Sequence, residues 1–247
     1  MPVDERDFLR TYDPTVFDRP SVTVDLVLMS VLDRALHAVL MLREAQPAKG
    51  RWGLPGGFVG IKESLDDAAR RILQEKVNIT SAYLEQLYTF GAVNRDPRTR
   101  IITVAYFALL PPGRFEKVLN GSGALSLARI ATNWKGDAGG SATAYASNGD
   151  KLSLAFDHAE ILGLSVKRLR GKLDYSQVGF ELLPQRFTLR QLQDVHEAIS
   201  GTRLNKPAFR RRMLDKGVLE ATGLREQGMT FRPAELFRFS KTKRDRI

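Results

Sequence analysis

The feature that most constrains this 247-residue chain is the stretch from Trp52 to Ile79, where a turn-rich run passes into a patterned helix. Trp52-Gly53-Leu54-Pro55-Gly56-Gly57 packs three glycines and a proline into six residues, a composition that punctuates secondary structure rather than extending it. The segment 64–77 (SLDDAARRILQEKV) then sets Leu65, Ala68, Ala69, Ile72 and Leu73 on one face at helical spacing. Ser64 suits the N-cap, and Asp66 and Asp67 fall in the first turn, where the helix dipole favours negative charge.

Strand-like runs surround this unit. Residues 21–32 (SVTVDLVLMSVL) and 37–43 (HAVLMLR) are apolar and rich in β-branched side chains, with Asp33-Arg34 and Ala35-Leu36 as a short hairpin connection. Two more strands are expected near 83–91 and 100–110, the second stopped by Pro111-Pro112-Gly113. Residues 120–150 are rich in Gly, Ser, Ala and Asn and allow either strands with long turns or a mobile loop. Helical periodicity returns over 156–173 and runs straight into a basic segment, as an inter-domain connector would.

Cysteine is absent, which excludes a disulfide framework and thiolate metal sites and fits a cytoplasmic protein. No apolar run is long enough to span a membrane, and the charged start MPVDERDFLR lacks the apolar core of a signal peptide. The net charge of +10 is unevenly spread. Residues 186–247 hold 15 Lys and Arg against 7 Asp and Glu, whereas residues 1–185 hold 23 against 21. Such asymmetry suits a polyanion partner, or a solvated basic surface that aids solubility.

The spacing from Gly57 to Ile79 resembles the Nudix box: Gly, five residues, Glu, seven residues, then Arg-Glu-aliphatic-any-Glu-Glu-any-Gly-aliphatic. Gly57, Glu63, Arg71, Leu73, Glu75 and Ile79 match; Ile72 and Lys76 stand at glutamate positions and Asn78 at the glycine position. Nudix hydrolases cleave a diphosphate joined to another group, and carboxylates on one helix face hold the divalent cations that neutralise it. Ile72 removes one acid, and Lys76 replaces another with a positive charge. Glu63 and Glu75 alone are too few for an efficient metal site. The expectation is therefore no catalytic residues, no bound metal and no required cofactor, with the anion pocket retained. Lys76 either pairs with a phosphate in place of the metal or points to solvent.

A second local pattern bears on the ligand. Phe90-Gly91 leads to Arg95-Asp96-Pro97-Arg98 and then to the strand Ile101 to Leu110. This run is similar to that of Nudix proteins acting on ADP-ribose, and Arg43 resembles another ligand arginine of that family. Arginine suits a diphosphate because its planar fork bonds two oxygens at once, although Asp96-Pro97 also makes a good salt-bridged turn. Phe58 and Phe90 are placed to stack on an adenine. The ligand set expected is Arg43, Gly57, Phe58, Glu63, Glu75, Lys76, Phe90, Arg95, Asp96 and Arg98.

The basic segment has its own punctuation. In 187–201 (FTLRQLQDVHEAISG), Thr188 is an N-cap, Gln191 completes a capping box, and Gly201 ends the helix; Leu189, Leu192, Val195 and Ile199 form its apolar stripe. After Thr202-Arg203-Leu204-Asn205-Lys206, Pro207 starts a second helix running to about Lys216. Phe209 and Met213 should face the core, leaving Lys206, Arg210 and Arg211 outward. Val218-Leu219-Glu220, a turn at Gly223 and a returning strand Leu236-Phe237-Arg238-Phe239 then make a wing, with Arg225 and Arg232 flanking its tip. Two helices joined by a short turn, the second basic, and then a wing, form a winged helix-turn-helix. Thr188, Gln191, Asn205, Lys206, Arg210, Arg211, Arg225 and Arg232 are the expected DNA contacts.

The whole order resembles the NrtR-type Nudix-related transcriptional regulators of NAD metabolism. Tyr12, Arg19-Pro20, Phe156-Asp157-His158, Arg168-Leu169-Arg170, Leu182-Leu183-Pro184, Phe187-Thr188-Leu189, Phe209-Arg210-Arg211 and Arg232-Pro233-Ala234 carry the resemblance, which departs in 120–150. It implies an α/β (α+β) architecture: a Nudix-like α/β/α sandwich over 1–155, a linking helix over 156–174, a winged helix over 175–240 and a basic tail over 241–247. It also implies a homodimer on a palindromic operator in double-stranded DNA, repressing genes of NAD synthesis or salvage, with ADP-ribose as effector. Three other readings suit parts of the pattern: an active hydrolase of ADP-ribose or nucleotide sugars, a sugar-responsive regulator of the same architecture, and a Nudix-fold protein that binds RNA or a protein partner.

Overall fold

The computed structural model describes residues 4–119, 124–136, 138–173, 175–227 and 233–240. Its frame is a mixed sheet built from β1 (Ser21–Leu32), β2 (Ala35–Leu42), β5 (Tyr83–Phe90), β6 (Ile101–Leu109), β7 (Leu125–Thr132) and β8 (Ala142–Tyr145), in the order β5-β6-β1-β2-β7-β8. The short strands β3 (Trp52–Gly53) and β4 (Gly56–Phe58) pair with β2 and β1. The β1–β6 pair is parallel and the other pairs are antiparallel. The β1–β2 turn is only Asp33-Arg34, both with positive φ (47° and 61°), and β2 begins at Ala35. That left-handed pair matches the twist of a two-residue hairpin.

Period-two alternation loads both faces of the sheet. Val24, Leu26 and Leu28 of β1, with Val104 and Tyr106 of β6, pack under α2 (Leu65–Val77) against Ala68, Ala69, Ile72 and Leu73. Val27, Met29, Ala105 and Phe107 face the other way, towards Ile161, Leu162 and Val166 of α4 (His158–Lys172). The result is the expected α/β/α sandwich. Ser64 caps α2 by accepting the Asp67 N–H at 3.1 Å. The helix ends at Asn78 in the left-handed region (φ 54°, ψ 40°), so an asparagine at the box's glycine position keeps the conformation that position requires.

The Gly-rich stretch resolves towards strands: β7 and β8 extend the sheet beyond β2. A short α1 (Glu5–Thr11) and a helical turn α3 (Pro112–Phe115) complete the first unit. The winged helix follows, with α5 (Leu189–Ser200), α6 (Lys206–Asp215), β9 (Leu219–Arg225) and β10 (Glu235–Phe239). Gly223 does not end its strand as expected; β9 runs through it to Arg225, and its positive φ of 71° falls within the register irregularity between the Glu235–Arg225 and Phe237–Ala221 pairs. Arg232 and the tail 241–247 lie outside the described residues.

The connector helix is no free strut. Its buried Ile161, Leu162, Val166 and Leu169 belong to one apolar cluster that continues into Leu182, Leu192, Val195, Ile199, Phe209 and Met213. Sheet, connector and winged helix therefore share a core. Around its end, Arg170 donates to the Ile199 carbonyl at 2.8 Å and to Thr132 Oγ1 at 3.0 Å while stacking on Trp134.

The capping box of α5 is fully formed: Gln191 N donates to Thr188 Oγ1 at 3.1 Å, and Thr188 N donates to Gln191 Oε1 at 2.8 Å. Thr188→Ala should lower the free energy of unfolding by about 1 kcal/mol, read as a lower urea midpoint at unchanged slope; an unshifted midpoint would mean that the box contributes nothing.

Candidate functional site

Two sites emerge, one on each unit. The first gathers where β1, β4, the 91–100 loop and the start of α4 meet. Asp25 of β1 is buried beside Gly56, and a Cβ on Gly56 would collide with the Asp25 carboxylate and the Val24 carbonyl. Only glycine lets β4 lie this close. Gly57 pairs with Val24, and a Cβ there would rest 3.5 Å from Ile72, which is itself fully buried. Position 72 thus faces the sheet as core.

The arginines of the 95–98 run divide. Arg95 is buried, with its side chain only 4% exposed. Its Nε and Nη2 each reach an oxygen of Asp157 at 2.8 Å, and Nη2 stands 3.5 Å from Asp25. Arg98 is 42% exposed, grips Asp96 through Nε (3.0 Å) and Nη2 (2.7 Å), and lies over the Phe58 ring. Asp96 also accepts the Arg98 N–H, closing the turn at Pro97. The Arg98 guanidinium beside Asp96 holds that carboxyl below its usual range.

Arg43 follows β2 and joins this group from the far side. It lies over the Phe156 ring at 4.8 Å and donates from Nε to the Pro47 carbonyl. Burial lowers its pKa, with Arg98 as a second positive neighbour and Asp96 and Asp25 opposing. Arg43 and Arg98 thus converge as a cationic pair. Phe58 is half exposed at its edge, and Phe90, at the end of β5, meets Tyr88 edge to face at 5.4 Å.

The acids of the box join this site through Phe58: Arg71, the guanidinium they share, donates from Nη2 to the Phe58 carbonyl at 3.0 Å. Glu63 accepts Arg71 Nε at 2.7 Å, Arg71 Nη2 at 2.9 Å from its other oxygen, and the Gly60 N–H at 3.0 Å. The Arg71 bonds, then the Gly60 bond, hold its pKa down to about 2. Arg71 Nη1 also reaches Glu75 at 3.3 Å. Lys76 is exposed in the last turn of α2. Among the described residues, no group of three or more His, Asp and Glu side chains is arranged to hold a metal ion.

Sequence reasoning missed Asp25 and the role of Asp157. Neither lies in the box, and only folding brings residues 25, 95 and 157 together. His158, expected as a core or cap residue, is buried, and its Nδ1 accepts the Leu54 N–H at 2.9 Å. The imidazole proton therefore sits on Nε2, 4.0 Å from Asp25.

The second site is a concavity of about 470 Å³ on the winged helix. Thr188, Arg190, Lys206, Arg210, Arg225 and Glu235 line it, so the N-termini of α5 and α6 and the end of β9 converge there. Backbone N–H groups at helix starts and cationic side chains together favour an anion. Thr188 Oγ1 and Gln191 Oε1 are engaged in the cap, and Asn205 Oδ1 caps α6 by accepting the Ala208 N–H at 3.0 Å. Lys206, Arg210 and Arg211 are exposed on α6, while Arg225 Nη1 donates to the Pro233 carbonyl. Arg190 was absent from the expected contacts, although its place in the first turn of α5 was legible.

Comparison with known proteins supports both units. The NUDIX domain family matches residues 21–127, and the NrtR DNA-binding winged helix domain matches residues 179–239. Over 238 residues the chain is 37% identical to the ADPR responsive transcriptional repressor NtrR of Acinetobacter baylyi, covering 96% of this chain and 88% of that protein. The chain belongs to the NrtR family. The crystal structure of Shewanella oneidensis NrtR complexed with a 27mer DNA matches with a TM-score of 0.73 at 32% identity, covering 89% of this chain and 93% of that one. A MutT/nudix family protein from Enterococcus faecalis, 22% identical, shares the fold with a TM-score of 0.74 over 94% of this chain and 91% of its own.

Two measurements test this NrtR-family site. Arg95→Ala leaves buried Asp25 and partly buried Asp157 without their cation and should cost about 3–5 kcal/mol of stability; a loss under 1 kcal/mol in chemical denaturation would refute the buried pairing. Burial depresses the pKa of His158, with Asp25 opposing, and burial likewise lowers His37. Between the folded pKa and 6.5 the unfolded chain binds a proton that the folded chain does not, so stability falls as pH drops below about 6.5. Unfolding free energy should be smaller at pH 5.5 than at pH 7.5, and His158→Asn should narrow that difference; an equal difference in the variant would contradict the assignment.

Proposed function

We propose that this chain is a DNA-binding transcriptional repressor of NAD synthesis or salvage genes, released or retained on DNA according to ADP-ribose bound in its Nudix unit. The observation that carries the reading is the union, through one shared core, of a diphosphate-hydrolase fold with a winged helix presenting a cationic groove. Its 37% identity across nearly the whole length of an ADPR responsive repressor supports the effector.

In the Nudix unit, Arg43 and Arg98 supply the charge for a diphosphate, and Phe58 and Phe90 supply aromatic faces for an adenine. Arg95 and Asp96 act from below, as the buried support that fixes the loop and Arg98. Gly57 keeps β4 close to α2. Lys76 at the end of α2 adds positive charge that a metal would otherwise provide.

A divalent cation does not fit the acids present. Glu63 has both oxygens engaged by Arg71, Glu75 shares that guanidinium, Ile72 is core and Lys76 repels cations. The unit therefore holds its ligand without consuming it, as a sensor must.

On the winged helix, Lys206, Arg210 and Arg211 on α6, with Arg225 at the end of β9, meet the duplex; Arg232, expected with them, lies outside the described residues. Phosphate contacts supply affinity, and arginine on α6 reads base edges. The capping side chains of Thr188, Gln191 and Asn205 hold both helix starts towards the backbone. A homodimer in the cytoplasm would place two such modules on the halves of a palindrome. Ligand and DNA then oppose each other, each weakening the other by the same factor.

The deciding experiment enriches a duplex from a random 27-base-pair pool with the wild-type chain, then titrates ADP-ribose into the complex. DNA affinity should fall by about five- to a hundredfold at saturation, and AMP release with Mg²⁺ should stay at background. An unchanged affinity would remove ADP-ribose as effector, and brisk turnover would make the chain an enzyme.

A further inference from the structure

One carboxylate lies between the two units. Asp194, in the middle of α5, has a side chain only 18% exposed. Its Oδ1 lies 2.6 Å from Arg190 Nη2, one helical turn earlier, and 3.4 Å from Arg34 Nε. Arg190 lines the cationic groove of the winged helix. Arg34 belongs to the other unit, at the tip of the β1–β2 hairpin, where its φ of 61° follows Asp33 at 47°. Two guanidiniums from different units thus approach a single buried oxygen as ion pairs, neither of them aligned as a hydrogen bond.

We infer that Asp194 is a positioning residue for Arg190, and that the Nudix unit sets the DNA affinity of the winged helix by how fully Arg34 neutralises it. The inference rests on the groove being a DNA interface and adds a route of control to it. One carboxylate balances one guanidinium. With Arg34 in place, the triad carries a surplus positive charge and Arg190 is available to a phosphate. With Arg34 withdrawn, Asp194 holds Arg190 alone, the local charge falls to zero, and one phosphate contact is lost. The helix is fixed firmly enough for a small shift of the hairpin to matter. Its far end is tied to the connector helix α4 by the bond from Arg170 to the Ile199 carbonyl, while hydrophobic packing holds its apolar face.

The geometry also says which substitution isolates the effect. Arg34 occupies a left-handed position, which asparagine tolerates. Arg34→Asn removes the charge and keeps the turn; Arg34→Lys keeps the charge. Asp194→Asn frees Arg190 permanently.

The test measures binding of the full-length chain to the duplex enriched by wild type, by fluorescence anisotropy across a salt series. Arg34→Asn should weaken binding about two- to fivefold, the range of an exposed ion pair, and should lower the slope of log affinity against log salt by up to about one phosphate contact. Arg34→Lys should restore most of both. Asp194→Asn should bind at least as tightly as wild type, and adding Arg34→Asn to it should change nothing further. Wild-type affinity in Arg34→Asn would overturn the inference. So would an equal weakening by Arg34→Asn in the Asp194→Asn background, which would mean that Arg34 meets DNA directly. Failure of the wild-type chain to enrich any duplex would instead sink the DNA-binding reading itself.

Discussion

The burial of one guanidinium organises the Nudix unit. Arg95 has lost nearly all contact with water and is balanced by the two oxygens of Asp157, with Asp25 close by. A buried cation without such partners would cost several kcal/mol. The three residues come from a loop, from the turn that begins α4 and from the central strand, so their pairing fixes three elements at once. Gly56 is required because a side chain there would displace Asp25. His158, next to Asp157, ties the same point to Leu54.

That cluster also lies at the start of the element that joins the two units. The helix that starts at Asp157 ends where Arg170 binds the last turn of α5. Its apolar face belongs to the cluster that holds the winged helix. The ligand site proposed at Arg43 and Arg98 lies beside the start of this helix, since Arg43 stacks on Phe156. A change of packing there is felt along a rigid element, because close-packed interiors transmit displacement rather than absorb it.

The departures from the Nudix pattern have different physical weights. Asn78 is conformationally equivalent to the glycine it replaces. Ile72 is a core residue that seals α2 on Gly57. Lys76 changes the charge of an exposed face. Read as letters, the three look alike; burial and backbone angle separate them.

Much of this was legible in the amino-acid order. Strand and helix periods, the Ser64 and Thr188 caps, the burial of Phe209 and Met213, and the basic character of α6 follow from local rules, because each depends on residues within one or two turns of each other. The spacing from Gly57 to Ile79 gave the Nudix unit, and the composition of 186–247 gave its basic companion. The fate of 120–150 stayed open, since Gly-rich segments become strands only when a neighbouring edge accepts their hydrogen bonds. Tertiary structure alone decided that Arg95 is buried support while Arg98 is exposed, although they lie three residues apart in one motif. It alone brought Asp25 to Asp157 and Arg34 to Asp194. Pairings across many tens of residues are set by how packed elements meet, and no local pattern encodes that meeting.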